Sequence, residues 1–194
     1  MKIYSRFEMK NSMLYYLEDD NALGFVVIPK GKEICLNKEC AVEHLVQLKL
    51  LEDDHDRRFT NGLTMRNSKS VQNLRFVCQE TNGNEIVTTF NNPRGHIIKH
   101  FLTMSDDTLE VYTVFENQSN STAKLEMISS FSLGCLTPFE ADETTGNLVI
   151  HRLQSYWAAE GKLLSQKAEE LHLEPNIKAR NERFGSLGSM PVRR

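Results

Sequence analysis

The sequence VQNLRFVCQETNGNEIVTTFN, residues 71–91, has the pattern of a β-hairpin. Apolar and polar residues alternate through much of both halves, and alternation puts every second side chain on the same face of a strand. Residues 81–84 between the halves read TNGN, and an Asn-Gly pair is a strong signal for a tight turn between antiparallel strands. We therefore predict strands over Val71–Glu80 and Glu85–Asn91.

The same pattern continues along the chain. His96–Met104 and Leu109–Glu116 are separated by a polar Ser-Asp-Asp turn, and Ala123–Leu133 follows after another polar turn. Successive hairpins of this kind form an antiparallel meander, and several of them pack together as a sandwich. The predicted fold class is all-β, an antiparallel β-sandwich with at most one short helix.

Further segments fit this class less uniformly. Ala22–Ile28, Glu33–Leu36 and Glu43–Leu51 are predicted as strands, although Glu43–Leu51 also fits a short helix on its period alone. Leu163–Leu173 is the best helix candidate. At 194 residues the chain is expected to form one domain with a sizeable core.

Composition and charge exclude several classes of partner. The chain has 26 acidic and 23 basic residues, a net charge of −3, with the Lys and Arg residues scattered. Nucleic acids and anionic membranes attract concentrated basic patches, so neither is an expected partner. The first residues, MKIYSRFEMKNSMLYY, lack the apolar stretch of a secretory signal, and no run approaches the length of a membrane span. We expect a cytoplasmic protein.

Residues that often bind metals do not form a recognisable site in the sequence. The four cysteines, Cys35, Cys40, Cys78 and Cys135, have no CxxC spacing, and they are expected to be small buried hydrophobic residues rather than disulfides or zinc ligands. His96 and His100 share a face of their predicted strand but have no third ligand nearby, so we expect surface or half-buried histidines. No metal and no cofactor is predicted.

An acidic cluster follows the strand predicted over Glu43–Leu51. Residues 52–56 read EDDHD, and carboxylates at this density bind hard cations or sugar hydroxyls. The alternative is a solvated loop between strands, which we favour because the cluster lacks the glycine and terminal glutamate of a calcium loop. The chain shows no catalytic constellation of its own.

Trp157, the only tryptophan, lies in the segment SYWAAEG. One interpretation is a core residue, the usual place of a lone tryptophan in a β-sandwich. The other is an aromatic platform for a sugar, because the less polar faces of a pyranose carry C–H bonds that pack on an indole. The sequence alone leaves both interpretations open.

The chain resembles the N-terminal region of family 36 glycoside hydrolases, the microbial α-galactosidases. The resemblance rests on segments spread over nearly the whole chain: ALGF, HLVQLKLL, LTMRNS, SSFSLGCLTPF, SYWAAEG and RFGSLGSMPVR. It implies a β-supersandwich of the galactose-mutarotase-like type, and it implies that the segment over Leu163–Leu173 is extended. In this family a sandwich precedes a (β/α)8 barrel, so residues 1–194 are expected to be an incomplete sandwich domain that lacks the catalytic barrel.

The resemblance also implies roles for two residues in substrate binding. Trp157 matches a tryptophan that reaches the mouth of the substrate pocket in family members. Asp56, in the segment Asp-Arg-Arg-Phe, resembles an aspartate that contributes to substrate binding in some members, although the residues after it follow at a different spacing. Neither residue is catalytic, since the two aspartates that cleave the glycosidic bond belong to the barrel.

Three functions therefore remain open. The first is a domain of an α-galactosidase that is inactive alone, acts on melibiose-type or raffinose-type α-galactosides within the complete enzyme, and forms homo-oligomers. The second is an independent carbohydrate-binding module. The third is an interaction domain with no role in sugar binding. We favour the first.

Overall fold

The computed structural model describes residues 2–19, 22–32, 42–53, 68–134 and 148–171. Apart from one short helix, the regular secondary structure of the described residues is antiparallel β-strand, so the predicted all-β class is confirmed. Its elements, in order, are β1 (Lys2–Glu8), β2 (Ser12–Asp19), β3 (Ala22–Pro29), β4 (Leu48–Leu50), α1 (Lys69–Gln72), β5 (Arg75–Asn82), β6 (Glu85–Asn91), β7 (His96–Ser105), β8 (Thr108–Asn117), β9 (Leu125–Ile128), β10 (Val149–Leu153) and β11 (Leu163–Lys167). None of the helical residues in these ranges forms a helix with the length and apolar character needed to cross a lipid bilayer.

The chain divides into two compact units. The first comprises Met1–Arg57 and Asn61–Phe139, and the second comprises Arg58–Thr60 and Glu140–Arg194. The first unit contains a three-stranded sheet in the order β1-β2-β3, a four-stranded sheet in the order β5-β6-β7-β8, and the pair β4-β9. The second contains the pair β10-β11.

The larger two sheets of the first unit bury one face each in a common core. From β2 and β3 the core receives Leu14, Tyr16 and Phe25, and from β6 and β7 it receives Ile86 and Leu102. Alternate residues of β7 are buried, as the alternating sequence predicts. The contacts that bridge the sheets include a 2.6 Å hydrogen bond that Ser5 donates to Gln79, and the ring of Phe25 lies 6.2 Å from that of His100.

Several predicted strands have the expected bounds to within a residue or two, and one region was predicted wrongly. Val71 and Gln72 belong to α1, so the predicted strand over Val71–Glu80 begins only at Arg75. The helix forms because the Ser68 side chain accepts a hydrogen bond from the Val71 amide, which caps its first turn. The apolar residue Val71, which was part of the alternation that indicated a strand, is instead a buried residue of α1.

Other bounds also differ from the predictions. Only Leu48–Leu50 and Leu125–Ile128 are strands within the segments predicted over Glu43–Leu51 and Ala123–Leu133, and they pair with each other. Leu163–Lys167 is a strand, so the first part of the helix candidate over Leu163–Leu173 is extended. The predicted strand over Glu33–Leu36 lies outside the described residues. Cys78 is a half-buried free thiol, and the other three cysteines also lie outside the described ranges.

The expectation of surface or half-buried histidines in β7 was wrong. His96 and His100 are 3% and 0% exposed, because both occupy the inner face of the strand. His100 lies opposite Thr88 of β6 and Thr113 of β8 in the sheet. Neither ring nitrogen of His100 has a hydrogen-bond partner among the described residues. Burial lowers the pKa of this histidine to about 4, so the ring is neutral at physiological pH.

Candidate functional site

The β10-β11 hairpin carries the residue that the sequence singled out for sugar binding. The strands pair in register from Val149 opposite Lys167 to Leu153 opposite Leu163. Cross-strand side chains reinforce this register, since His151 contacts Ser165 at 2.8 Å between Nδ1 and Oγ. A regular ladder of this kind gives the connecting loop two well-defined ends.

Two consecutive turns form the tip of the hairpin. The Ala159 amide donates a 3.0 Å hydrogen bond to the Tyr156 carbonyl, and the Lys162 amide donates a 3.1 Å bond to the Ala159 carbonyl. The third residue of each turn, Ala158 and Gly161, has φ of +64° and +71°. A positive φ at this place is characteristic of type II turns, and glycine adopts it without the steric cost that Ala158 bears. Trp157 occupies the second position of the first turn.

Trp157 is 93% exposed, so the interpretation of this residue as a core tryptophan was wrong. The physical reason is that Trp157 is one of the two central residues of a turn in the loop that connects β10 and β11. Tyr156, beside it, is 61% exposed, and the cross-strand pair Leu153 and Leu163 at the base of the loop is 72% and 58% exposed. The hairpin end therefore exposes two aromatic rings and two aliphatic side chains to solvent.

This arrangement has the chemical components of a carbohydrate platform. An indole face packs on the C–H groups of a pyranose, and a sugar also needs polar groups that exchange hydrogen bonds with its hydroxyls. Glu160 and Lys162 are exposed in the same loop and supply an acceptor and a donor. The sequence pointed to Trp157 but not to Tyr156, whose exposure follows from the turn rather than from residue type.

Asp56, the second predicted site residue, lies outside the described residues, within the range 54–67. The residues that flank this range are described, and one of them is Asp53. The favoured interpretation of the acidic cluster as a solvated loop was wrong for Asp53, which is 3% exposed. Its carboxylate accepts hydrogen bonds from the Leu50 amide at 3.1 Å, the Ser70 hydroxyl at 2.9 Å and Arg94 Nη1 at 2.9 Å.

The electrostatics of Asp53 follow from these contacts. Burial by itself raises the pKa of the carboxyl, but the hydrogen bonds from Leu50 and the neighbouring serines and the charge of Arg94 outweigh it, so the pKa is lowered. Asp53 is therefore an ionised structural anchor. Sequence reasoning missed this role because it depends on Arg94, which is remote in the chain.

His96 lies near the same cluster. Its Nδ1 atom is 3.2 Å from the Asn92 side-chain amide, and its ring centroid is 5.1 Å from that of Phe115. Burial and the charge of Arg94 lower the pKa of His96. Among the residues that the structure describes, no group of three or more His, Cys, Asp or Glu side chains is arranged to hold a metal ion.

Comparison of the chain with protein-family models, with curated proteins and with solved structures finds no match.

Proposed function

We propose that the chain is the N-terminal β-sandwich domain of an α-galactosidase of glycoside hydrolase family 36. In this proposal the complete enzyme hydrolyses terminal α-galactosides, with retention of configuration, through two barrel aspartates. The present chain contributes Trp157 to the mouth of the substrate pocket and takes part in oligomer assembly. By itself it is inactive.

The observation that carries this proposal is the exposure of Trp157. The segment SYWAAEG resembles the family segment that brings a tryptophan to the substrate, and a residue with that role must be accessible. With 93% of its surface exposed at a hairpin tip, Trp157 meets this requirement, whereas a buried indole would have contradicted it. The all-β fold agrees with the sandwich that the family places before its barrel.

A cytoplasmic location belongs to the same proposal. The free thiol of Cys78 agrees with a reducing compartment, in which cysteines stay unpaired. The proposed partners are the catalytic barrel, further copies of the chain, and α-galactosides of the melibiose or raffinose type in the complete enzyme.

A second candidate function is a carbohydrate-binding module that acts without a barrel. It is favoured by the exposure of Tyr156, which is next to Trp157 in the chain, because a sugar site made by one loop needs aromatic rings and polar groups that solvent can reach. The third candidate, an interaction domain with no role in sugar binding, draws on the same exposed apolar side chains.

The decisive experiment is a titration of Trp157 fluorescence with galactose and melibiose, with glucose as the control sugar. Because the chain has one tryptophan, any change in emission is assigned to the hairpin tip. We expect a saturable, galactose-selective change if the tip holds part of a sugar site on its own. The chain alone should not hydrolyse 4-nitrophenyl α-galactoside, a chromogenic substrate for the complete enzyme.

Matched tyrosine variants locate the response. Tyr156→Ala should weaken it, whereas Tyr112→Ala, at an exposed tyrosine of β8, should not. A flat titration of a chain with the circular dichroism of a folded β-protein would contradict a sugar site on the isolated chain. Hydrolysis of the chromogenic substrate would contradict the assignment of catalysis to the barrel.

A further inference from the structure

A cleft in the first unit is lined by none of the residues discussed as sugar contacts. It has a volume of about 540 Å³ and forms where the paired ends of β2 and β3 meet the segment Gln72–Phe76 that joins α1 to β5. Pockets that hold small molecules have volumes of roughly 300–1,000 Å³. The cleft is therefore large enough for a small ligand.

The floor of the cleft contains apolar residues that the fold holds in place. Leu23 and Leu74 are each 2% exposed and belong to the main core. Phe76, which lines the cleft beside them, makes edge-to-face contacts with Tyr4 at 4.9 Å and Phe90 at 6.1 Å between ring centroids. Because these side chains are packed from behind, the floor is preformed rather than assembled by a ligand.

Two of the polar side chains that line the cleft carry opposite charges. Glu18 lies on the β2 side and Arg75 on the β5 side, with the side chain of Asn73 between the helix and the strand. Within the described parts of the chain, none of these three side chains forms an ion pair or a hydrogen bond. Their backbones are fixed, since Glu18 pairs with Leu23 and Arg75 pairs with Asn91 in the sheets.

We propose that this cleft binds a small zwitterion with an apolar body, the chemical class of α-amino acids and short peptides. A carboxylate and a guanidinium that line one cleft without neutralising each other attract a ligand that carries both charges. Arg75 binds the ligand carboxylate, for which the planar guanidinium is suited, and Glu18 binds the ammonium group. The apolar body packs against the half-buried ring of Phe76, and the Asn73 amide supplies a further donor and acceptor.

The test is a titration of the full, ¹⁵N-labelled chain with L-leucine, followed by nuclear magnetic resonance. Two analogues isolate the charges: 4-methylpentanoate lacks the ammonium group, and 3-methylbutylamine lacks the carboxylate. We expect saturable shifts centred on Glu18, Leu23 and Gln72–Phe76. Each analogue should bind about tenfold more weakly than leucine, because a hydrogen-bonded charge is lost.

Charge-matched variants complete the test. Glu18→Gln and Arg75→Gln should each weaken leucine binding about tenfold. Glu110→Gln and Arg6→Gln, at exposed residues of β8 and β1, should leave it unchanged. The proposal is overturned by an absence of saturable shifts or by equal binding of leucine and both analogues. It is also overturned if melibiose, and not leucine, causes saturable shifts of the cleft residues. None of these results bears on the response of Trp157, so this proposal and the proposed function fail independently.

Discussion

The carboxylate of Asp53 and the guanidinium of Arg94, 41 residues apart in the chain, are joined by a 2.9 Å ion pair. The Asp53 side chain is fully buried, whereas that of Arg94 is about one-third exposed. Since Asp53 also accepts hydrogen bonds from Leu50 and Ser70, one carboxylate connects the end of β4, the first turn of α1 and the turn between β6 and β7. This connection joins described residues on either side of the range 54–67, which contains Asp56.

Asp53→Asn should destabilise the first unit substantially. The asparagine amide can replace only part of the acceptor set, and it loses the charge that pairs with Arg94. We expect the free energy of unfolding to fall by about 1–3 kcal/mol, the cost of leaving buried hydrogen-bond donors without an acceptor. Urea denaturation measures this change. The control is Glu80→Gln at an exposed residue of β5, and an equal effect of the two variants would contradict the anchor role.

The buried His100 should make stability depend on pH in a defined window. Its pKa is about 4 in the folded chain, against 6.5 for the ordinary value. The unfolded state therefore binds more protons between these pH values, so the contribution is fully present above pH 6.5 and is lost as the pH falls toward 4. The shift corresponds to about 3 kcal/mol.

His100→Leu should remove this dependence, because leucine does not titrate and leaves no unpaired ring nitrogens in the core. Urea unfolding across the window, for the wild type and the variant, measures the difference in slope. His151→Leu, at an exposed histidine of β10, serves as the comparison. Parallel pH profiles for the wild type and His100→Leu would show that another group is responsible.

Gly24 should not tolerate a side chain. A Cβ atom at this residue would lie 2.1 Å from the Glu43 carbonyl oxygen and 2.9 Å from Val42 Cγ1, so β3 or the neighbouring segment must move. Gly24→Ala should cost about 1–3 kcal/mol of stability, the range for overpacked sites. A thermal melt compares it with Thr108→Ala, at an exposed strand residue. A melting temperature equal to that of the wild type would show that the segments do not approach this closely.

Trp157 should be accessible to solvent in the folded chain. We expect acrylamide to quench its fluorescence nearly as well in the native as in the urea-unfolded state, because 93% of the residue is exposed. Trp157→Ala should change the free energy of unfolding by no more than about 0.5 kcal/mol, as is usual for exposed sites. Strong protection from acrylamide, or a large loss of stability, would indicate that the indole is buried.

The alternating sequence by itself determined the all-β class and the meander from β6 through β8. In these strands each side chain's face follows from the period of two, as the buried and exposed residues of β7 and β8 show. The Asn-Gly turn also formed as predicted, with Gly83 at φ of +60°. Such local rules need no knowledge of the rest of the chain.

Tertiary structure decided what each polar residue does. Asp53 became a buried anchor rather than a loop carboxylate because Arg94 and Ser70 meet it from distant segments. Residues 71 and 72 form part of α1 rather than of the predicted strand because Ser68 caps the helix and Val71 packs in the hydrophobic core. Trp157 is exposed because two turns place it at a hairpin tip, whereas residue type alone favours burial as much as exposure. Burial and pairing depend on contacts between residues that are remote in the sequence, and a local pattern contains no information about those contacts.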